Sequence, residues 1–371
     1  MSQYKRLVVK LGSNTLTAGG DRLNRPQMLE LVRQIAALHR QGHEIIVVSS
    51  GAVAAGREVL GFPQSPQSQK GIPFKQMLAA VGQAHLMRTW TDLFGIYSIP
   101  IAQTLLTRGD LANRQRYLNA RNTLLALLDR GVITIINEND TVAVDEIRIG
   151  DNDNLSAQVA TLVDADLLVL LTDTDGLFTA DPRTDPSATL IPEIAQVDAR
   201  LERLTGRAGS ARGTGGMATK IQAARLATQG GAAVVIANGQ TPDVLQHLAA
   251  GQRVGTFFHP APSSPGSRQC WIASGWASRG QVQVDAGAAR ALLRGGGSLL
   301  PAGITMVTGH FQRGDAVDIL DPSGQRIASG IANYAWSDVQ RIAGLHSDRI
   351  EETLGYEYGE EVIHRNNLVI V

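Results

Sequence analysis

Five short, nearly unbroken runs of Val, Ile and Leu recur at residues 7–10, 45–49, 132–136, 167–172 and 233–237. A strand with one wet face alternates apolar and polar side chains. A strand that is apolar at almost every position must be covered on both faces, as in a parallel sheet between helical layers. Amphipathic stretches lie between these runs, at 25–40, 77–94, 116–130, 155–162 and 217–229. Alternation of this kind requires right-handed crossovers. The expected fold class is therefore α/β, a three-layer αβα sandwich with a mostly parallel central sheet. Ligands of such sheets collect at the carboxyl ends of the strands.

The 371 residues suffice for two domains, and 43% hydrophobic against 18% charged residues permits a large core. We expect a first domain over 1–258, a Pro- and Ser-rich linker over 259–280, and a small β-rich domain over 281–360. In the last, residues 317–320 and 326–331 flank a Pro-Ser-Gly turn as a hairpin does. Residues 143–149 read as a small hairpin arm, 63–73 as an exposed excursion, and 205–216, with five glycines, as a ligand loop. Lys plus Arg equals Asp plus Glu at 34 each, which argues against general affinity for nucleic acid or acidic membranes. Cys270 is the only cysteine, so no intramolecular disulfide or thiolate metal cluster can form, and we expect no protein metal site. The start of the chain runs straight into a strand, and no stretch approaches the roughly 18 apolar residues of a membrane span. A cytoplasmic protein is expected.

Polar clusters stand where the apolar runs stop. Lys10 is followed by Leu11, Gly12, Ser13, Asn14 and Thr15, which suits a phosphate, since glycine lets amides approach and the ammonium adds a point charge. Only five lysines occur against 29 arginines, so a lysine beside a glycine turn is less easily dismissed as random surface charge, although taken alone a surface lysine at a turn explains it equally. Ser49, Ser50, Gly51 and Ala52 lead into a helix whose first amides form an anion site, although a serine cap explains them equally. Asn137, Glu138, Asn139 and Asp140, then Asp151, Asn152, Asp153 and Asn154, put eight acidic or amide side chains within 18 residues. Caps explain one or two of these. A zwitterionic ligand would need the mixture, with carboxylates for its ammonium and amides for its carboxylate. The calcium-loop spacing is absent. Leu171, Thr172 and Asp173 open a loop fit to cup a base or ribose. Gly213, Thr214, Gly215, Gly216, Met217, Ala218, Thr219 and Lys220 carry a glycine loop into a helix, where amides, dipole and ammonium would converge on phosphates, although a flexible linker before a helix explains the glycines equally. The spacing is not that of a P-loop.

Together, in this order and at this spacing, these motifs resemble the amino acid kinase family, most closely its glutamate-phosphorylating members. The resemblance covers nearly the whole chain, and the part beyond residue 281 is similar to a PUA domain, with Gly355 to Gly359 as its tail motif. Phe178 stands where the family carries tyrosine. The resemblance implies ATP as phosphoryl donor, Mg²⁺ as cofactor, and L-glutamate as acceptor at the first step of proline biosynthesis. It implies that Lys10 and Lys220 act on the transferring phosphoryl group and that Asp153 organises them. Ser50, Gly51, Ala52, Asp140 and Asn152 would bind glutamate. Lys10, Gly12, Ser13, Thr172, Asp173 and Thr214 through Lys220 would bind ATP. It further implies inhibition by proline, a homotetramer, and handover of product to a reductase.

The rivals are a kinase for aspartate, acetylglutamate, carbamate or a nucleotide, and an RNA-binding protein built on the PUA-like part. Residues 281–359 hold six arginines, no lysine and nine acidic side chains, the wrong sign for phosphate.

Overall fold

A computed structural model describes residues 4–62, 71–143, 152–198, 201, 216–261, 278–294 and 297–370. The expected arm at 144–149, most of the excursion at 63–70, the loop with Thr214 and Gly215, and the linker at 262–277 lie outside the described residues. The chain divides into two compact units: residues 1–111 with 123–262, and residues 112–122 with 263–371.

The first unit is a mostly parallel sheet. In chain order its elements are β1 (Arg6–Leu11), α1 (Ser13–Thr17), α2 (Arg25–Arg40), β2 (Glu44–Ser49), α3 (Ala52–Leu60), α4 (Ile72–Gly95) and β3 (Ile101–Leu106). Then come α5 (Arg108–Ala112), α6 (Arg114–Asp129), of which residues 114–122 belong to the second unit, β4 (Ile133–Glu138), α7 (Asn152–Leu162), β5 (Leu167–Thr172) and β6 (Glu193–Ile194). It closes with α8 (Met217–Gln229), β7 (Ala233–Asn238), α9 (Val244–Ala249) and β8 (Thr256–Phe258). The strand order is β3-β4-β2-β1-β5-β7-β8-β6. Only β8 runs antiparallel to its neighbour β7, and β6 follows β8.

The all-apolar strands meet the sequence expectation. Leu7, Val8, Val9 and all of Leu167 to Leu171 are fully buried, as strands covered on both faces must be. β1 pairs β2 on one side and β5 on the other, with Leu11 opposite both Ser49 and Leu171. The chain therefore switches direction across the sheet at β1. This is the crevice where an open α/β sheet receives ligands. Three boundaries differ from the sequence reading. α4 starts at Ile72 because Pro73 is at home in a first turn. β4 continues through Asn137 and Glu138, whose backbones pair with Leu105 and Leu106. α7 takes in Asn152 and Asp153.

The second unit has its own sheet, ordered β10-β9-β11-β12-β13. Its strands are β9 (Gly280–Val284), β10 (Ile304–Gly309), β11 (Ala316–Leu320), β12 (Arg326–Ile331) and β13 (Leu368–Ile370). The expected hairpin is β11 with β12, paired antiparallel. A separate core including Phe311, Val317, Tyr334 and Ile363 holds it. No helix among the described residues is long and apolar enough to cross a membrane.

Candidate active site

The carboxyl ends of β1, β2, β4 and β5 carry Lys10, Ser49, Glu138 and Thr172 to one rim of the sheet. Lys10 points inward at the last turn of β1 and is only 5% exposed. Its ammonium passes over Gly12, where a Cβ would lie 3.6 Å from Nζ. Asp153, in the first turn of α7, is wholly buried. Lys10 Nζ stands 2.6 Å from Asp153 Oδ1, and Lys220 Nζ stands 3.2 Å from Asp153 Oδ2. One carboxylate thus spreads its two oxygens between two lysines that are 210 residues apart in the chain. Burial alone would raise the Asp153 carboxyl, but the two lysine charges and the Thr219 hydroxyl hold it down at about 2. Burial, with the Lys10 charge adding to it, pulls Lys220 below the ordinary lysine range, while Asp153 and Asp173 oppose this. The Thr219 hydroxyl lies 2.7 Å from Asp153 Oδ2 and 2.8 Å from the Gly216 carbonyl oxygen, with one proton to share between them.

A second group adjoins the triad. Asn152 precedes Asp153 on α7, and its Nδ2 donates to Ser50 Oγ at 2.9 Å and to Asn137 Oδ1 at 3.0 Å, using both its protons. Ser50 follows β2. Gly51 then turns into α3 with φ of 100°, a left-handed conformation that side chains resist. That turn aims the first amides of α3 at the rim, where a helix leaves them without intrahelical partners. Asp140 ends the polar run after β4. It is 7% exposed, and its Oδ1 is buried with no hydrogen-bond partner among the described residues. Burial pushes its pKa up to about 6.

A third group lies beyond β1 and β5. Asn14 Nδ2 donates to Asp173 Oδ2 at 3.0 Å, and the Thr172 hydroxyl donates to Asp173 Oδ1 at 3.1 Å. Ser13 begins α1 directly after Gly12. Gly216 caps α8 in an extended conformation, and Met217, Ala218 and Thr219 form its first turn.

The structure therefore brings Lys10, Lys220, Asp153 and Thr219 into contact, and Ser50 with Asn152. It sets Asp173 beside Thr172 and Asn14. Asp140 touches none of these through a described side-chain bond, and Thr214 and Gly215 lie outside the described residues. Sequence reasoning placed Asn137 and Asn14 in motifs without giving either its own role, and did not single out Gln83, which accepts from Asn137 Nδ2 at 2.8 Å. Asn137 stood in a visible motif, whereas a lone glutamine on an amphipathic helix gives no signal.

This arrangement can hold a polyanion against two fixed cations beside a pocket of amide, hydroxyl and carboxyl groups. Comparison with known proteins points the same way. The pattern of the amino acid kinase family matches residues 5–238, and that of the PUA domain matches residues 280–354. The chain is 55% identical over 366 residues to the glutamate 5-kinase of Herpetosiphon aurantiacus, covering 99% of this chain and 98% of that one. It is 51% identical over 368 residues to the glutamate 5-kinase of Shewanella pealeana, with the same coverage. With the Klebsiella pneumoniae glutamate 5-kinase it shares 50% identity over 370 residues and the full length of both.

Proposed function

The chain belongs to the amino acid kinase family, and from that premise we propose that it transfers the γ-phosphoryl group of ATP to the side-chain carboxylate of L-glutamate. The product is L-glutamyl 5-phosphate, at the entry to proline biosynthesis. The Lys10–Asp153–Lys220 triad, one residue from the Asn152 amide, carries the reading.

The chemistry asks little of proton transfer. A glutamate side chain, with a reference pKa of about 4.3, is already ionised at pH 7. An oxygen of that carboxylate bonds to the γ-phosphorus. The bond from phosphorus to the β–γ bridging oxygen breaks, and its electrons leave on ADP. No base is needed. The barrier lies in bringing an anion up to a polyanion, and fixed positive charge with in-line positioning lowers it. Lys10 and Lys220 are the cations on the transferring group. Asp153 holds each ammonium on a separate oxygen, so their spacing is set before ATP arrives. Ser50, Gly51 and Ala52 supply donors for the glutamate carboxylates, Asn152 borders the pocket by donating to Ser50 Oγ, and Asp140 is the partner for the glutamate ammonium. Gly12, Ser13, Thr172, Asp173 and the segment from Thr214 to Lys220 take the nucleotide.

Asp153, the buried carboxylate of the triad, is engaged by two lysines, so Mg²⁺ would be held by phosphate oxygens and waters of its nucleotide rather than by a protein cage, and would there neutralise phosphate charge.

Incubation with ATP, Mg²⁺, glutamate and hydroxylamine will trap the acyl phosphate as a hydroxamate. ADP release with aspartate, acetylglutamate or carbamate, and none with glutamate, would end the reading. The same reading includes inhibition by proline, a tetramer, a cytoplasmic location and handover to a reductase, all supported by family resemblance. Adding proline to the trapping assay and sedimenting the chain with and without the reductase test these points.

A further inference from the structure

Gln83 lies in the middle of α4, between buried Gly82 and Leu86. Its Oε1 accepts from Asn137 Nδ2 at 2.8 Å. Asn137 Oδ1 accepts in turn from Asn152 Nδ2 at 3.0 Å and from the Glu138 backbone N–H at 2.9 Å. Asn152 Nδ2 also reaches Ser50 Oγ. Groups from α4, β4, α7 and the end of β2 thus form one directed chain of hydrogen bonds.

A side-chain amide is nearly symmetric in shape but not in hydrogen bonding. Turned over, Asn137 would set its Nδ2 against two donors, Asn152 Nδ2 and the Glu138 N–H. Its orientation therefore matters to the pocket, and Gln83 fixes it from outside. Pointing Oε1 at Asn137 leaves Gln83 Nε2 buried with no hydrogen-bond partner among the described residues. A buried donor left unmade is a cost, so the accepting oxygen outweighs it.

We infer that Gln83 is a positioning residue for the acceptor substrate: through Asn137 it holds the Asn152 amide as a donor to Ser50 Oγ, which turns the Ser50 hydroxyl proton to the glutamate carboxylate. The inference rests on the proposed function of this site and deepens it. Its claim concerns the oxygen of Gln83, not the nitrogen.

Gln83→Met keeps the length of the side chain and removes the oxygen. The KM for glutamate should rise about tenfold, the scale of one neutral hydrogen bond, with kcat and the KM for ATP unchanged. Gln83→Glu keeps an accepting oxygen, and a buried carboxyl stays protonated well above its ordinary range. Once ionised, the carboxylate still accepts from Asn137 but puts a buried negative charge behind a pocket for an anion, so Q83E, measured against the wild type at each pH, should match it on the acid side and show a rising KM for glutamate as the pH rises. A wild-type KM in Q83M would overturn the inference. So would an equal loss in kcat and both KM values, or a Q83E as poor as Q83M at every pH. Crystal structures of the wild type and of either variant read the positioning without turnover. Asn137 should leave its rotamer in Q83M, and an unmoved Asn137–Asn152 pair there refutes the inference. A wild-type chain that makes no acyl phosphate from glutamate sinks the functional reading instead, and leaves the Gln83 contact to be judged by these structures.

Discussion

Asp140 is buried with one carboxyl oxygen unpartnered among the described residues, and burial raises its pKa to about 6. The folded chain thus holds this proton more tightly than the unfolded chain. Stability is full below the unfolded pKa of about 4 and is lost as pH rises through about 6. Above that the penalty is on the order of 3 kcal/mol. A ligand ammonium would relieve it. Asp140→Asn should therefore melt higher than the wild type at pH 8, show no such gain at pH 4, and bind glutamate at least about tenfold more weakly. Thermal melts at both pH values with a glutamate titration check this, and a variant that gains nothing at pH 8 contradicts it. The lysines obey a different balance. Removing either one takes a preorganised charge from the transfer step, so Lys10→Ala or Lys220→Ala should lower kcat by roughly 10²–10³. Circular dichroism confirms folding, and a folded variant with unchanged turnover removes that residue from the mechanism. Lys10, Lys220 and Asp153 were legible because lysine is scarce and polar residues crowd the ends of apolar runs. That both lysines share Asp153 came from the family resemblance alone, because spacing in sequence carries no distance between strand ends. Gln83 was invisible for a related reason. Its role exists only through Asn137.

Helices α3 and α4 meet backbone to backbone, and two glycines make this possible. A Cβ on Gly56 would lie 1.9 Å from the Leu78 carbonyl oxygen, and one on Gly82 would lie 1.8 Å from that of Ala52. Neither contact can be relieved by a rotamer change. The helices would have to part, and α3 carries Ala52 at its first turn, in the proposed acceptor site. Gly82→Ala should cost about 1–3 kcal/mol or more by overpacking, despite alanine's better helix propensity. It should also weaken glutamate binding more than ATP binding. Urea denaturation would show a lower midpoint at unchanged slope, and a stabilised G82A would contradict the packing argument. At this scale the buried strands were readable because period and composition agreed. β3 was not, because Ile101 to Leu106 includes exposed and half-buried positions with Gln103 and Thr104 among them, a pattern without the unbroken apolar run of a central strand. The early start of α4 was masked by the prolines and glutamines before it.

The whole chain is electrically balanced, with 34 basic and 34 acidic residues, and its second unit matches a PUA domain that could be read as an RNA-binding surface. The parallel sheet could be foreseen from the alternation of apolar runs and amphipathic stretches, and a second, β-rich part from the shift in composition near residue 259. The assignment of residues 112–122 to the second unit could not, since that segment is an ordinary amphipathic stretch. Charge argues against RNA. Residues 281–359 carry six arginines and nine acidic side chains. Four of those arginines are already engaged within the unit. Arg313 lies 3.8 Å over the Tyr358 ring and donates to Asn119. Arg326 is 3.5 Å from Asp318, Arg349 is 3.2 Å from Glu352, and Arg341 donates to the Thr353 carbonyl. RNA binding needs cations free to release counterions from phosphate, and each such contact steepens the salt dependence by about one unit. The full chain should therefore show no salt-dependent retention on tRNA. Filter binding across a salt series tests this. A slope of about −3 or steeper in log affinity against log salt would mean that a basic surface has been assembled elsewhere on the molecule, and would revive the RNA reading.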